Sequence, residues 1–270
     1  MCQNSEAVDS FLSLEHKHWL QMIKAIQLHL DGIRTTAETL GKGKFLIFFL
    51  PGLIIGIIAL YFYWQANTLL DAAHAVDEIP LVGGFLSGTV DGIFDFFTFI
   101  ANEFYKFLLL VCLSPVNCIL SEKYDNYLTN NKFDGGLVRI INDVLRAIFI
   151  VIIVLVMEYF TLFLWWLLTF LIPMDEYLTP IVQFLISSFF LGFAFYDYSL
   201  ERYQKGTLSS LGFSFSNMGI VVLTGALFSA LYAIPYIGII IAPVLLTMIA
   251  TVVYVRKFPS TTTQSDQQDQ

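Results

Sequence analysis

The sequence predicts an all-α, polytopic bundle of membrane helices, and three observations predict it. Hydrophobic residues make up 57% of the 270-residue chain and charged residues only 13%, about half the charged share of an ordinary soluble domain. Mean hydropathy is +0.71, so polar surface is too scarce to cover a globule in water. Several runs are long and uncharged enough to cross a bilayer, and the lysines and arginines sort onto one side of them. A net charge of −8 speaks against a nucleic-acid partner.

Residues 1–12 are polar and predict a flexible N-terminus. From Ser13 to Leu40 the pattern is helical: Trp19, Ile23, Ile26, Leu30 and Ile33 step by four and three onto one face. Such a helix either lies in the membrane interface or packs on the bundle as an ordinary amphipathic helix. Six apolar segments follow, at 45–64, 96–120, 147–172, 179–195, 219–235 and 237–255, so the membrane domain runs from 13 to 257. Phe45 to Trp64 is the cleanest of them: twenty residues without a charge cover roughly 30 Å, the hydrocarbon thickness. Pro51 and Gly52 are places where it can kink or break.

The second segment carries Glu103 and Lys106, and the stretch from Ser121 to Arg146 is polar with loop signals at Asn130-Asn131 and Gly135-Gly136. The third segment holds one charge, Glu158, and Pro173 stops it. The last four segments read as two helical hairpins in tandem, the second broken at Pro235. The tail 258–270 is polar, low in complexity and predicted to be disordered.

Thirteen of the fourteen basic residues lie in the N-terminal region, the loop before the third segment, the loop after the fourth and the tail. The opposite side, at 65–95, 173–178 and the Pro235-Tyr236 turn, has none but carries Asp71, Asp77, Glu78, Asp91, Asp95, Asp175 and Glu176. The fourteenth, Lys106, lies within a segment. This split follows the positive-inside rule and predicts that both termini face the cytoplasm.

The stretch FYDYSLERY, Phe195 to Tyr203, follows an uncharged run. At a cytoplasmic exit, Tyr196, Tyr198 and Tyr203 fit an aromatic belt, rings in the interface and hydroxyls toward water. Asp197 can pair with Arg202; alternatively, Asp197 and Glu201 together share a basic partner from elsewhere.

These residues also carry a resemblance. YDYSLERY looks like the Tyr/Leu-Asp-Tyr signature of the CysZ and etoposide-induced-protein 2.4 family of membrane proteins. LSPVNCILSEKYDNYL, Leu113 to Leu128, resembles that family's Ser-Pro…Glu-Lys segment, and IPYIGIIIAPVLLTMIATVVYV, Ile234 to Val255, resembles its closing helix. Gly32 and Pro51-Gly52 fit as well, and the match runs in order over roughly 30–257. The resemblance implies two long membrane helices with helix pairs that enter the bilayer only partway, oligomers, and, for the CysZ branch, sulfate or a related anion crossing the bacterial inner membrane. Eukaryotic relatives imply a trafficking role instead. The charged turn PMDEYL, Pro173 to Leu178, is expected to reach the far surface or a wet cavity. The uncharged turn AIPYIG, Ala233 to Gly238, can stop inside the bilayer.

Leu40 to Phe45, LGKGKF, precedes the first span. Gly41 and Gly43 permit close backbone approach to an anion, and Lys42 and Lys44 add charge. The resembled family has a Gly-Leu-Arg-type anion site near this place; arginine is absent here. The plainer reading is two lysines snorkelling after a turn. Glu103, Lys106 and Glu158 are candidates for an ion pathway because intramembrane charge is costly; an ion pair and a hydrogen-bonded interior carboxyl are the plainer readings. Four-residue spacings of small residues, Gly52 and Gly56, Gly84, Gly88 and Gly92, Ser188 and Gly192, Gly225, Ser229 and Ala233, predict close helix packing.

Cys112 and Cys118 read as packing residues, and nothing around Cys2 supports a lipid anchor. His16 and His18 do not make a metal site. No catalytic constellation, cofactor fingerprint or ATP-binding motif is present, so neither an enzyme nor a pump is expected. The leading expectation is a sulfate-like anion permease, channel-like or secondary; the alternative is a non-transporting membrane scaffold or trafficking factor.

Overall fold

The computed structural model describes residues 3–74, 109–130, 137–171, 177–203 and 206–258. Among these residues every regular element is helical. They are α1 (Gln3–Gly41), a 3-10 turn (Leu46–Phe48), α2 (Phe49–His74), α3 (109–129), α4 (Leu137–Leu171), α5 (Leu178–Arg202), α6 (Thr207–Ser216), α7 (Met218–Tyr232) and α8 (Ile237–Lys257). The all-α bundle is therefore the observed fold. Three stretches are long and apolar enough to cross a membrane: Ile148–Thr169, Leu178–Glu201 and Ile237–Lys257. Two pairs bent by 103° and 93°, Leu20–Gly41 with Leu46–Ile58 and Leu208–Ser216 with Met218–Tyr232, raise the number to five if each pair is one span. Helix α7 has 15 residues, about 22 Å of rise, short of the hydrocarbon thickness on its own.

Helix α5 lies at the centre, against α4, α6, α7 and α8. Its contact with α7 is made backbone to backbone. A Cβ added at Gly192 would fall on the carbonyl oxygen of Val221, and one at Gly225 on that of Ser188. The small-residue spacing is thus used for packing within the chain. Gly52 brings α2 close to α8 in a similar way, a Cβ there standing 3.0 Å from the Ile240 carbonyl oxygen, while Gly56 meets only the Ile239 and Ile240 side chains at ordinary contact distance. Gly84, Gly88 and Gly92 lie outside the described residues.

Helix α1 begins well upstream of Ser13, so residues 3–12 are helical rather than a loose leader. A polar stretch adds turns readily to a helix already nucleated. The burial of α1 is the reverse of an ordinary amphipathic helix. Ala25, His29, Thr36 and Thr39 are buried, and Gly32 sits against Ile249 and Val253 of α8. The apolar face looks outward, with Ile26 43% and Leu30 60% exposed. Both sequence readings hold in part: α1 packs on the bundle, but through its small and polar stripe, and offers its apolar face to the surroundings. Lipid as solvent accounts for this, because exposed Leu and Ile cost nothing there.

Three further expectations change. Pro51 falls in the first turn of α2, where its missing N–H breaks no helical bond, so it starts the helix instead of kinking it. The polar stretch 121–146 is largely helical, spanning the end of α3 and the start of α4; Ser121, Tyr124 and Asp125 are buried rather than solvated. The fourth apolar segment does not end at Phe195, since α5 continues to Arg202.

Ala at position 192 or 225 is expected to force α5 and α7 apart, costing about 1–3 kcal/mol or more. Thermal unfolding in detergent should show a drop of several degrees for either variant. Gly212→Ala, which lies inside α6 and meets nothing within 4 Å, should not lower the midpoint and should raise it slightly, because alanine is the better helix former by about 1 kcal/mol.

Candidate functional site

The three segments that carry the resemblance come together in one buried polar seam. Asp197 and Glu201 are four residues apart and so share a face of α5. Arg146 of α4 reaches both: its Nη2 lies 3.6 Å from Asp197 Oδ1 and its Nε 3.7 Å from Glu201 Oε1. The carboxylates are buried, while the Arg146 side chain keeps 26% of its surface. Arg146 is the basic partner from elsewhere. Arg202 closes α5, and its side chain lies outside the described residues.

Helix α3 supplies the next layer. Asn117, fully buried, lies beside the Tyr198 hydroxyl. Cys118 Sγ donates to Glu201 Oε2 at 3.9 Å. Ser121 lies 3.5 Å from Ser199 Oγ and 2.8 Å from Thr251 Oγ1 of α8. Thr251 sends its own hydrogen to the Thr247 carbonyl, which leaves Ser121 as donor to Thr251. Tyr203 donates to Asp125 Oδ2 at 2.9 Å and packs its ring on Tyr254. Ser210 of α6 stands beside Asp197.

Tyr196, Asp197 and Tyr198 are at most 2% exposed. The belt reading of Tyr196 and Tyr198 is therefore corrected: their hydroxyls point into the protein. The physical reason is the Gly192–Gly225 crossing, which holds α5 among its neighbours along its C-terminal half. Tyr203 is half-buried and pairs with Asp125 rather than facing water alone.

A second buried chain lies on the other side of Tyr196. Its hydroxyl is 3.0 Å from Thr224 Oγ1, and that oxygen is 2.7 Å from His29 Nε2. His29 Nδ1 donates to the Ala25 carbonyl at 2.7 Å. With the hydrogen on Nδ1, neutral His29 can only accept from Thr224, whose hydroxyl oxygen also lies 3.0 Å from the Ile220 carbonyl, so its one hydrogen is shared between the two; Thr224 accepts from Tyr196. The sequence reading did not single out His29. Its signal was the stripe Ala25, His29, Gly32, Thr36 and Thr39, which repeats by four and three about a third of a turn round the helix from the isoleucine face.

Glu158 is buried in α4 and its Oε1 accepts from Ser187 of α5 at 2.5 Å, an interior hydrogen-bonded carboxyl. Glu103 and Lys106 lie outside the described residues.

The 41–44 turn is a helix C-terminus. Lys42 N–H and Lys44 N–H donate to the Thr39 carbonyl and Gly43 N–H to that of Leu40, and Gly43 takes φ +73°, the left-handed conformation glycine allows. The amides that an anion cradle needs are thus committed to capping α1. The side chains remain free to act: Lys42 and Lys44 are exposed, and Lys44 Nζ sits 4.2 Å above the Tyr127 ring. Beneath them Tyr124 is buried and 3.4 Å from Thr39 Oγ1; burial raises its phenol above the ordinary value.

No protein-family model matches the chain, and no curated protein matches it.

Arg146→Met strands two carboxylates in the seam and is expected to cost about 3–5 kcal/mol. Adding Asp197→Asn and Glu201→Gln should recover much of that loss in detergent thermal unfolding. Thr224→Val removes the shared partner of His29 and Tyr196 and should cost about 1–3 kcal/mol, read by the same assay.

Proposed function

We propose that this integral membrane protein is a permease for a small inorganic anion, sulfate first, of the kind the resemblance implies. The polar seam carries the reading. An ion-paired arginine, two carboxylates and a row of hydroxyls inside an apolar bundle are expensive, and such groups by default mark a functional element; with two carboxylates to one arginine, the seam suits a gate beside the anion's path rather than the path itself. The thirteen basic residues on one side favour both termini in the cytoplasm of a bacterial inner membrane. Lys42 and Lys44 supply exposed positive charge for attracting an anion; contact through their side chains suits the turn better than backbone amides. Without an ATP-binding motif, movement is passive or coupled to a gradient. Copies of the chain assemble as an oligomer in this reading.

The scaffold or trafficking reading is kept for a specific reason. Arg146 already faces two carboxylates, and the amides of the 41–44 turn are occupied, so no vacant cradle for an anion stands among the described residues.

One experiment separates the two. Purified protein in liposomes should take up labelled sulfate, and Lys42→Gln with Lys44→Gln should lower the initial rate severalfold. Uptake equal to that of empty liposomes removes the permease; normal uptake by the double variant removes the lysine turn from the path.

A further inference from the structure

The 3-10 turn after Lys44 has a feature that anion permeation does not use. Leu46, Ile47, Phe49, Leu50 and Leu53, with Ile240 of α8, line an open apolar groove of about 430 Å³. Ile47 is 69% exposed and Leu46 53%, so the groove faces outward between α2 and α8. Cations stand at its rim. Lys44 Nζ lies over Tyr127, and Lys123 Nζ lies 5.9 Å from the centre of the Phe48 ring, on the very turn that lines the groove. Phe45 ties these parts together, packing on Phe48, Tyr124 and Tyr127. Lys42 is exposed two residues upstream. Among the described residues no ion pair joins Lys42, Lys44 or Lys123 to a carboxylate.

We propose that this groove and its three lysines hold one anionic phospholipid, acyl chain along Leu46–Leu53 and Ile240, phosphate against Lys42, Lys44 and Lys123. The aromatic cluster fixes the lysines of two separate helical regions beside one oily slot. A free anion would need only the cations, and a neutral lipid only the groove. The combination matches a molecule that is charged at one end and apolar at the other, and clustered basic residues at the membrane surface favour anionic lipids. The ammonium groups of Lys44 and Lys123 already rest near aromatic rings, so little side-chain freedom is lost on binding. The inference rests on the membrane setting and not on transport; failure of sulfate uptake leaves it standing.

The test is a thermal-shift titration of the full chain in dodecyl maltoside with phosphatidylglycerol, phosphatidylcholine or glycerol 3-phosphate. Phosphatidylglycerol should raise the unfolding midpoint at concentrations where phosphatidylcholine and glycerol 3-phosphate do not. Replacing each lysine by glutamine should weaken phosphatidylglycerol about fivefold per residue. Leu50→Trp, which fills the slot and leaves the lysines alone, should weaken it as well. Equal responses to the two phospholipids overturn the proposal. So does a full response in the Lys42→Gln, Lys44→Gln, Lys123→Gln variant, or in Leu50→Trp. A glycerol 3-phosphate shift as large as that of phosphatidylglycerol overturns it in favour of a soluble-anion site.

Discussion

The backbone contact between α5 and α7 is the constraint from which the rest follows. At Gly192 and Gly225 the two helices leave no room for a Cβ, and in lipid such close approach is itself the attraction, because dispersion and backbone dipoles replace the hydrophobic effect. Fixing α5 there commits its whole C-terminal half to the interior. Asp197, Tyr198 and Glu201 then have to find partners inside, and α3, α4 and α6 supply them through Asn117, Cys118, Arg146 and Ser210. The same crossing sets Tyr196, about one helical turn past Gly192, against Thr224, and so draws His29 of α1 into the core.

Polarity is consequently inverted relative to a protein in water. Helix α1 buries threonines, a histidine and a glycine and exposes isoleucine and leucine. Helix α4 is apolar on both sides: Ile152, Val156, Phe160 and Phe163 are exposed, and Ile150, Val151 and Val154 are buried on the side that also buries Glu158. The inversion follows from the solvent. A buried Leu gains little over a Leu in lipid, whereas a hydroxyl or carboxylate left in lipid loses its hydrogen bonds at a cost of several kcal/mol. Polar groups therefore gather where they can satisfy each other, and the seam is the result.

Much of this was legible in the sequence because composition, run length and small-residue spacing are local signals. The helix break at Pro235, the all-α class and the packing use of Gly52, Gly192 and Gly225 could be read directly. The face of α1 could not, because the rule that puts Ile and Leu inside assumes water outside. The burial of Tyr196 and Tyr198 was hidden for a related reason. A cluster of phenols and charges after an apolar run has the same composition at a lipid interface and in a polar core, and only the partners on α3, α4 and α7 distinguish them. Arg146 illustrates the point. In the sequence it counts toward charge asymmetry; in space it holds two carboxylates that lie more than fifty residues away.

Charge then divides the labour between the two polar regions. In the seam one guanidinium faces two carboxylates, so the potential there does not favour a second negative charge, and a dry interior magnifies that repulsion. The 41–44 turn and Lys123 have the opposite character: Lys42, Lys44 and Lys123 are exposed, the last two near aromatic rings, and among the described residues no carboxylate pairs with them. In the proposed reading an anion, free or borne by a lipid, goes to the turn, and the seam acts on it only through the helices that both regions share. Helix α8 is one such link. Its residue Thr251 binds Ser121 in the seam, its Val244 and Met248 pack in the cluster with Tyr124, Phe45 and Phe48, and its Ile240 closes the lipid-facing groove. A lipid held at the turn as proposed would therefore contact the same helix that fastens the polar interior.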